Sequence, residues 1–414
     1  MTSPPRLTDE QRLDWLQLIR CENIGPRTFR TLLNRFGGAG AALEALPDLI
    51  RKSSSGRAIK LATRAETEDE MAAAAAIGVR FIALGEPDYP AALRAIDAAP
   101  PLIAVRGQDK ALLEPAVAIV GSRNASAAGL AFTDRLGRGL GRAGFVIVSG
   151  LARGIDLAAH RASLETGTIA VLAGGHARPY PAEHAPLLDE VAEKGWVVSE
   201  MPLNWEPRGR DFPRRNRIVS GLALGTVVVE AARRSGSLIT ARFASEQGRE
   251  VFAVPGSPLD PRSEGTNDLL REGATLCTRV EDVETALAPL LGRKRDDLFT
   301  EAEPASPPQE KLWDELDLFG EDPLPADDVR LLWSAEEEGP SAAPSSSTNG
   351  RVPEAGEDRR TRLVSLLGPS PVNIDDLVRA MECPASEVRA LLFELEVAGR
   401  LARYGGDLVA LLPA

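Results

Sequence analysis

Short apolar runs separated by amphipathic stretches dominate residues 81–290. Six of these runs have the length and near-continuous hydrophobicity of buried strands: Ala116–Val120, Phe145–Ser149, Thr168–Leu172, Trp196–Ser199, Thr226–Glu230 and Val251–Val254. Repeated strand–helix units of this kind are typical of a parallel sheet covered by helices on both faces. We therefore predict a doubly wound, mainly parallel α/β sheet over residues 81–290. Residues 81–106 are expected to form a strand-and-helix extension before the first core strand.

Helical spacing replaces this pattern in residues 1–80. Two apolar groups recur at the spacing of a helix: Leu13, Leu16 and Leu18-Ile19, then Phe29, Leu32-Leu33 and Phe36. Between them lies Ile24-Gly25-Pro26, a turn typical of helix-hairpin-helix or SAM-like units. In such a unit the backbone N–H groups at the start of the second helix can hold a phosphate. A plain packing unit also places Gly and Pro there, so both interpretations stay open.

The last two regions differ sharply in composition. Residues 291–358 are rich in Pro, Ser, Asp and Glu, which predicts a disordered acidic linker. An acidic and apolar island at residues 312–319 can dock on a partner or on the chain itself, or have no role. Residues 359–414 return to helical spacing, with Asn373 and Ala385-Ser386 as helix caps, and end in a strand, a Gly-Gly turn and a strand. Three helices and a hairpin predict a winged helix.

The distribution of charge changes the meaning of the net charge of −12. Residues 291–358 hold 6 Lys+Arg against 18 Asp+Glu, so this one region carries the whole excess. The other three regions are close to neutral, and a local arginine cluster in a neutral domain can still create a positive groove. The overall charge therefore does not argue against a nucleic-acid partner.

Cysteine usage and hydropathy indicate an intracellular setting. No run of about 18 apolar residues is present, so we expect no membrane span. The first residues lack the basic and apolar regions of a signal peptide. Three isolated cysteines, Cys21, Cys277 and Cys383, form neither a disulfide framework nor a metal-ligand pattern. We expect a cytoplasmic protein.

An arginine cluster is the most informative local feature. Phe212-Pro213-Arg214-Arg215-Asn216-Arg217 places three arginines and an asparagine in four positions and then continues as an apolar, helix-compatible stretch. Arginine forks bind phosphate oxygens bidentately and keep their charge at physiological pH. A solvated surface turn is the plainer interpretation.

Loops suited to anions follow four of the predicted strands. Their sequences are Gly121-Ser122-Arg123, Ser149-Gly150-Leu151-Ala152-Arg153-Gly154, Ala173-Gly174-Gly175 and Arg233-Arg234-Ser235-Gly236-Ser237, with Thr240 one turn further on. Loops at the carboxyl ends of parallel strands meet at one edge of the sheet, and glycines let the backbone approach a phosphate. None of the loops matches a dinucleotide or P-loop fingerprint. Several anion loops in a row favour an extended phosphate-bearing ligand over a single nucleotide.

Candidates for catalysis or metal binding are few. His160 is interpreted as a buried core residue, and His176 and His184 without a third ligand do not make a metal site. Glu230 can act as a base, or pair with Arg217 or Arg233. We expect no cofactor and no catalytic residue.

Six stretches in the central region resemble, in order along the chain, the DNA-processing protein A (DprA, or Smf) family of natural transformation. They are Ile119–Arg123, Ser149–Asp156, Phe212–Ile218, Ser235–Ala241, Val251–Gly256 and Gly265-Thr266-Asn267, with Tyr89–Leu93 similar to the family's entry into its extended Rossmann-like fold. The two ends fit the family's SAM-like head and winged-helix tail. The hydrophobic pattern and the composition divide the chain into four regions, at residues 1–80, 81–290, 291–358 and 359–414.

The resemblance implies a binding protein and not an enzyme. Family members bind single-stranded DNA, dimerise through the Rossmann-like domain and load the RecA recombinase onto the bound strand. The DNA contacts expected here are Gly121, Ser122, Arg123, Gly150, Arg153, Arg214, Arg215, Asn216, Arg217, Ser235, Gly236, Ser237 and Thr240. Stacking candidates are Phe212, Tyr180 and Trp205.

The chain departs from the family's pattern at one place, and two alternative functions stay open. Where family members often carry Asn and Lys, this chain has Ala182-Glu183-His184, and His184 can replace the basic contact only when protonated. The first rival is a nucleotide-processing enzyme of the phosphoribohydrolase type, although Ala173–Ala177 lacks that group's Pro and its later Gly-Thr. The second is a duplex-DNA regulator that reads DNA through the winged helix, where Arg389 is the main basic residue of the recognition helix.

Overall fold

The computed structural model describes residues 6–52, 59–107, 114–291, 355–369, 371–404 and 407–412. Most of the predicted linker, including the island at residues 312–319, lies outside the described residues, as does the Gly405-Gly406 turn. The boundaries drawn between the four regions stay predictions.

A nine-stranded sheet organises the described part of the centre, in the order β1-β2-β6-β5-β4-β3-β7-β8-β9. The strands are β1 (Arg80–Ala83), β2 (Leu102–Gly107), β3 (Ala116–Val120), β4 (Val146–Ser149), β5 (Thr168–Val171), β6 (Trp196–Ser199), β7 (Gly225–Val228), β8 (Glu250–Ala253) and β9 (Thr275–Leu276). From β6 to β9 all neighbours are parallel, whereas β2 pairs antiparallel with both β1 and β6. The predicted doubly wound, mainly parallel sheet is therefore confirmed. Glu230, predicted at the end of a strand, lies in the loop beyond β7.

Helices cover both faces of the sheet. They are α5 (Ala91–Arg94), α6 (Ala127–Arg142), α7 (Ile155–Ser163), α8 (Ala185–Lys194), α9 (Asp211–Gly221), α10 (Gly236–Glu246), α11 (Glu264–Arg271) and α12 (Val280–Leu291). Alternate residues of β3 enter two different cores: Ala116, Ala118 and Val120 in one, Val117 and Ile119 in the other. Burial on both sides explains why β3 is apolar at every position.

The order of the strands reverses beside β3. From β3 the chain winds outward through β4, β5 and β6, then returns to place β7 on the other side of β3. This reversal is a topological switch point of the sheet. Open α/β sheets bind their ligands at the carboxyl edge beside such a point.

The described residues of the N-terminal region form the helices α1 (Asp9–Arg20), α2 (Pro26–Phe36), α3 (Ala39–Lys52) and α4 (Arg64–Ala76). An ion pair ties this region to the sheet, since Arg12 donates to the buried carboxylate of Glu86 at 2.7 Å. Arg20 adds hydrogen bonds to the backbone carbonyls of Glu200 and Met201. The N-terminal helices are therefore attached to the segments that follow β1 and β6.

The C-terminal region is a winged helix, as predicted. Its elements are α13 (Ala355–Leu366), β10 (Val372–Asn373), α14 (Ile374–Met381), α15 (Ala385–Val397), β11 (Leu401–Tyr404) and β12 (Leu408–Leu411), with the sheet order β10-β12-β11. Asn373 caps α14 as expected. The predicted cap at Ala385-Ser386 is wrong, because α15 already begins at Ala385, and Pro384 occupies the cap position.

The winged helix packs against the central sheet domain. Ala127 and Leu130 of α6 join its apolar core. Arg262 donates to the carbonyls of Ser365 and Leu367 at the end of α13, each at 3.0 Å. Among the described residues, no helix is long and apolar enough to cross a membrane.

Candidate nucleic-acid interface

The loops at the carboxyl edge of the sheet are joined to one another by hydrogen bonds. Ile155 N–H, after β4, donates to the carbonyl of Ser122, after β3, at 3.2 Å. The side chain of Asn216 donates to the carbonyl of Gly236 at 3.2 Å. The structure therefore brings the predicted anion loops together along one edge.

Arg123 is exposed in the loop after β3, as is its neighbour Asn124. Its guanidinium lies 5.2 Å from the ring centroid of Phe212. Gly121 and Ser122 form the base of the loop, where a Cβ on Gly121 would approach the Ile155 side chain to 2.7 Å. The tight packing of Gly121 therefore fixes the loop from which the Arg123 side chain extends toward solvent.

Two of the predicted stacking residues meet beside Arg123. The rings of Phe212 and Tyr180 are edge to face with centroids 5.5 Å apart, and Tyr180 is 47% exposed. Trp205 is partly buried, donates its indole N–H to Asp211 at 2.8 Å, and carries the guanidinium of Arg208 over its ring. Arg123, Phe212 and Tyr180, which we call the stacking cluster, combine a cation with accessible aromatic surface.

Gly150, in the loop after β4, allows the side chain of Arg215 to pack closely against the backbone. Its N–H donates to the Asp156 carboxylate at 3.1 Å, so this amide is already engaged within the protein. A Cβ at Gly150 would lie 1.4 Å from Nη1 of Arg215. Arg153, three residues further on, is exposed. Of the two predicted contacts in this loop, Arg153 alone offers a side chain to a ligand.

The arginine cluster lies inside α9 and mostly points into the protein. Arg215 is buried and donates to the carbonyl of Val171 at 3.3 Å. Arg217 is 2% exposed and forms an ion pair with Glu200. Arg214 lies 3.8 Å from the Asp211 carboxylate. The interpretation of this segment as a solvated turn is therefore wrong. Arg215 and Arg217 contact backbone and carboxylate groups inside the protein and so support the carboxyl edge of the sheet.

The partners proposed for Glu230 are also corrected. Arg217 pairs with Glu200, and Arg233 lies 3.4 Å from Asp268. Glu230 instead accepts hydrogen bonds from the backbone N–H and the hydroxyl of Ser126, the N-cap of α6. Burial raises the pKa of Glu230, and the bonds from Ser126 oppose that rise.

The Ser-Gly-Ser loop after β7 satisfies its own polar groups. Ser235 is the N-cap of α10, and its hydroxyl lies 2.7 Å from that of Ser237. The N–H of Ser237 donates to the hydroxyl of Ser235 at 3.4 Å, and the carbonyl of Gly236 accepts from Asn216. Thr240 is buried one turn into the helix. These contacts fix the position of the loop after β7 at the carboxyl edge of the sheet.

Three further exposed arginines lie at this edge: Arg178, Arg208 and Arg234. The sequence analysis missed Arg178 and Arg208, and it included Arg234 in an anion loop but not among the expected DNA contacts. All three lie in the loops after β5, β6 and β7 and accompany Arg123 and Arg153. No described carboxylate lies within salt-bridge distance of any of the five, which together we call the exposed arginine row. Their position in the sequence could have identified these arginines, because each follows a predicted strand by ten residues or fewer.

The three histidines are buried and act as structural groups. His160 Nδ1 lies 2.7 Å from the Thr168 hydroxyl, and burial, with Arg215 nearby, lowers its pKa to about 3. Burial lowers the pKa of His176 to about 4, despite its bond to the carbonyl of Ala104. His184 Nδ1 lies 2.9 Å from the carbonyl of Leu151, so this nitrogen donates and braces the loop after β4. The idea that His184 replaces a basic contact is therefore not supported.

The two glycines after β5, which would form the phosphate loop of a phosphoribohydrolase, are enclosed by neighbouring backbone. A Cβ on Gly175 would lie 2.1 Å from the carbonyl oxygens of both Pro202 and Leu203. Gly174 is equally confined, with Pro207 2.8 Å from its Cβ position. Both glycines are buried. They permit close backbone packing and do not form an open phosphate loop.

The Ile24-Gly25-Pro26 turn is also buried. Arg27, at the start of α2, forms an ion pair with Asp97 at 2.6 Å, and Arg30 donates to the carbonyl of the same residue. The turn thus faces the sheet domain, which favours the packing interpretation of this motif. Among the described residues, no group of three or more His, Cys, Asp or Glu side chains could hold a metal ion.

Comparison with known proteins identifies related chains. The model of the family "DNA recombination-mediator protein A" matches residues 80–288. The models "DprA-like N-terminal HHH domain" and "DprA winged helix domain" match residues 9–73 and 339–407. The chain is thus similar to the family over all three folded regions.

Individual relatives agree with these matches. DNA processing protein DprA of Bacillus subtilis (strain 168) is 43% identical over 210 residues, which cover 50% of this chain and 70% of that protein. Protein Smf of Escherichia coli (strain K12) is 47% identical over 198 residues, 47% of this chain and 53% of that protein. The X-ray structure of DprA from Streptococcus pneumoniae is 33% identical, covers 68% of this chain and 98% of its own, and superimposes with a TM-score of 0.56. The chain therefore belongs to the DNA recombination-mediator protein A (DprA/Smf) family.

Proposed function

We propose that the protein is a cytoplasmic single-stranded-DNA-binding recombination mediator that protects incoming DNA and loads RecA during natural transformation. It acts by binding and positioning DNA, not by catalysis. The observation that carries the proposal is the stacking cluster of Arg123, Phe212 and Tyr180 beside the exposed arginine row.

The stacking cluster favours single strands over duplexes. An aromatic ring stacks on the face of a base, and in a duplex both faces of each base are covered by its neighbours. Base–aromatic stacking contributes about 1–3 kcal/mol per base and tolerates any sequence. Tyr180 is exposed enough to stack on a base, while Arg123 stands beside Phe212 within reach of the adjoining phosphate.

The exposed arginine row supplies the contacts to the backbone. Arg123, Arg153, Arg178, Arg208 and Arg234 follow five successive strands along the chain, so a strand of DNA lying across the edge meets positive charge repeatedly. Because no described carboxylate neutralises them, their charge is available to phosphates. Binding of this kind is sensitive to salt and indifferent to sequence.

Dimerisation and RecA loading are supported by family membership. A homodimer through the Rossmann-like domain would align two carboxyl edges on one strand of DNA, which raises the affinity through multivalency. RecA is then recruited to DNA that the dimer already holds.

Fluorescence anisotropy with labelled oligothymidine and with its duplex tests the DNA-binding proposal. Arg123→Ala and Tyr180→Ala should each weaken single-strand binding at least tenfold, or about 1.4 kcal/mol. Arg123→Ala should also reduce the slope of log affinity against log salt, by about 0.7 for one phosphate contact. Arg138→Ala is the matched control, since Arg138 is exposed on α6 and paired with Asp134.

Two results would overturn the proposal. The first is a wild-type protein that ignores single strands. The second is normal binding by both Arg123→Ala and Tyr180→Ala. RecA loading is tested separately, by measuring RecA filament formation on DNA coated with a single-strand-binding protein, with and without this protein.

A further inference from the structure

The outer face of α15 in the winged helix is apolar and uncovered. Ser386, Ala390, Phe393 and Val397 recur at helical spacing on this face. Phe393 is 61% and Val397 72% exposed. These two side chains lie one turn apart and are the most exposed large apolar residues of the described helices. We call Ala390, Phe393 and Val397 the apolar stripe.

The apolar stripe does not suit duplex DNA. A recognition helix reads base edges through hydrogen-bonding side chains and contacts phosphates through basic ones. Here the central positions of the exposed face are Phe393 and Val397, and Glu394 flanks them. The face is suited to an apolar peptide, which it can bury as a helix-in-groove partner does.

The charges beside the apolar stripe favour a peptide that is negatively charged. Arg389 lies one turn before Phe393 on the same face, and Arg400 follows the end of α15; both are exposed. No described carboxylate lies within salt-bridge distance of either arginine, whereas Arg403 is paired with Glu396 at 2.8 Å. The complementary ligand therefore carries acidic groups interspersed with large apolar ones.

This chain contains such a segment. Residues 312–319 read Leu-Trp-Asp-Glu-Leu-Asp-Leu-Phe, with five apolar and three acidic side chains and no basic one. The segment lies outside the described residues and ends 35 residues before α13 begins at Ala355. A tether of thirty-five residues in a random-coil conformation would span about 30–35 Å on average. A folded unit of about 60 residues has a radius of gyration of only about 10 Å, so the tether reaches its far side.

We propose that residues 312–319 dock in cis on the apolar stripe, with their carboxylates toward Arg389 and Arg400. The winged helix is then a peptide-binding module that the chain's own acidic segment occupies. The short tether favours this pairing, since the effective concentration of the segment is in the millimolar range. The proposal is independent of the DNA-binding function proposed above.

Binding of a fluorescein-labelled peptide of residues 309–322 tests this docking. The full-length protein lacking residues 312–319 should bind the peptide saturably, and wild type at least tenfold more weakly, because its site is occupied. Phe393→Ser with Val397→Ser, made in the deletion background, should abolish binding. Leu259→Ser, at an exposed apolar residue on another loop, is the matched control and should leave binding unchanged.

A charge exchange makes the test specific. A peptide with Asp314, Glu315 and Asp317 changed to Lys should fail to bind the deletion variant, and Arg389→Glu with Arg400→Glu should restore its binding. The proposal is overturned if the deletion variant ignores the peptide, or if Phe393→Ser with Val397→Ser leaves binding intact. It is also overturned if that double variant converts a dimer to a monomer in sedimentation, since a second copy would then cover the stripe.

Discussion

At the scale of single residues, arginine has two different roles at the carboxyl edge of the sheet. Arg123 and Arg153 are exposed and hold their charge toward solvent, where a phosphate chain can reach it. Arg215 and Arg217 are buried and hold backbone or carboxylate partners in place. The difference in burial separates the arginines that we propose to contact DNA from the arginines that preserve the shape of this edge.

Replacement of Arg217 should reduce stability more than it changes the DNA contact itself. Arg217→Ala leaves the partly buried carboxylate of Glu200 without its partner, and breaking a buried ion pair in this way costs about 3–5 kcal/mol. Urea unfolding followed by circular dichroism measures the loss. Arg138→Ala breaks an exposed pair and should change stability by at most about 1 kcal/mol. Unchanged stability with weakened DNA binding would show instead that Arg217 contacts DNA.

His160 should make the protein less stable as the pH falls. Its pKa is about 3 in the folded protein, chiefly because of burial, against about 6.5 in an unfolded chain. Because the folded pKa is the lower one, the neutral form is favoured by folding. The stabilisation is complete above pH 6.5 and is lost progressively as the pH falls from 6.5 toward 3.

The measurement compares urea unfolding of wild type and His160→Asn between pH 7 and pH 4. The free energy of unfolding should fall less steeply in the variant, which retains a side-chain nitrogen for Thr168 but does not titrate. His176 acts in the same direction in both proteins, while Asp156 and Glu230, whose pKa values burial raises, act with the opposite sign. Equal slopes would contradict the assignment of His160 as a buried neutral group.

At the scale of elements, the loop after β4 is held in part by close contacts with neighbouring loops and helices. Gly154 has a φ of +75°, and a Cβ there would lie 2.2 Å from the carbonyl of Ser122. The loop after β4 therefore depends on glycine at two places, for conformation at Gly154 and for space at Gly150. This packing fixes where Arg123 and Arg153 emerge.

Gly150→Ala should displace the buried guanidinium of Arg215, because the new Cβ would lie 1.4 Å from Nη1. Overpacking of this kind costs about 1–3 kcal/mol, and the shift of the loop should also weaken single-strand binding. Thermal unfolding and anisotropy measure the two effects. Gly209→Ala is the matched control, because nothing lies within 4 Å of its Cβ position. Wild-type behaviour of Gly150→Ala would mean that Arg215 is not confined there.

At the scale of the whole molecule, a few well-placed side chains join three folded regions. Arg12 and Glu86 link the helical head to the sheet, and Arg262 links the sheet to the end of α13. The guanidinium of Arg262 is itself held by Asp260 at 2.9 Å. Because it binds carbonyls at a helix C-terminus, it also interacts favourably with the helix dipole.

Arg262→Ala should loosen the winged helix on the sheet domain without unfolding either. The carbonyls of Ser365 and Leu367 lose their donor, so backbone amides at the end of α13 should exchange with solvent about tenfold faster. Hydrogen exchange followed by mass spectrometry measures the change. Arg161→Ala removes the exposed ion pair with Glu382 and should have little effect. Equal exchange in both variants would show that the apolar contact with α6 alone holds the winged helix.

The sequence predicts the sheet well because its signal is local. β3 was predicted at its observed bounds, since five consecutive apolar residues leave one interpretation. The cap at Asn373 was equally local, whereas the one at Ala385-Ser386 was misplaced because Pro384 can occupy the cap position as well. The stacking of Arg123 on Phe212 was not predictable, because it joins residues 89 positions apart.

Composition, hydrophobic period and motif order were thus enough to determine the class of fold and the family, and to predict the edge of the sheet at which we propose that DNA binds. These properties depend on each strand and loop taken singly. Only the tertiary structure decided which arginines are exposed: Arg217 is buried in an ion pair with Glu200, whereas Arg208 is exposed and has no described carboxylate within salt-bridge distance. The exposure of a charged side chain depends on neighbours from distant parts of the chain, and it is the fold that brings those neighbours together.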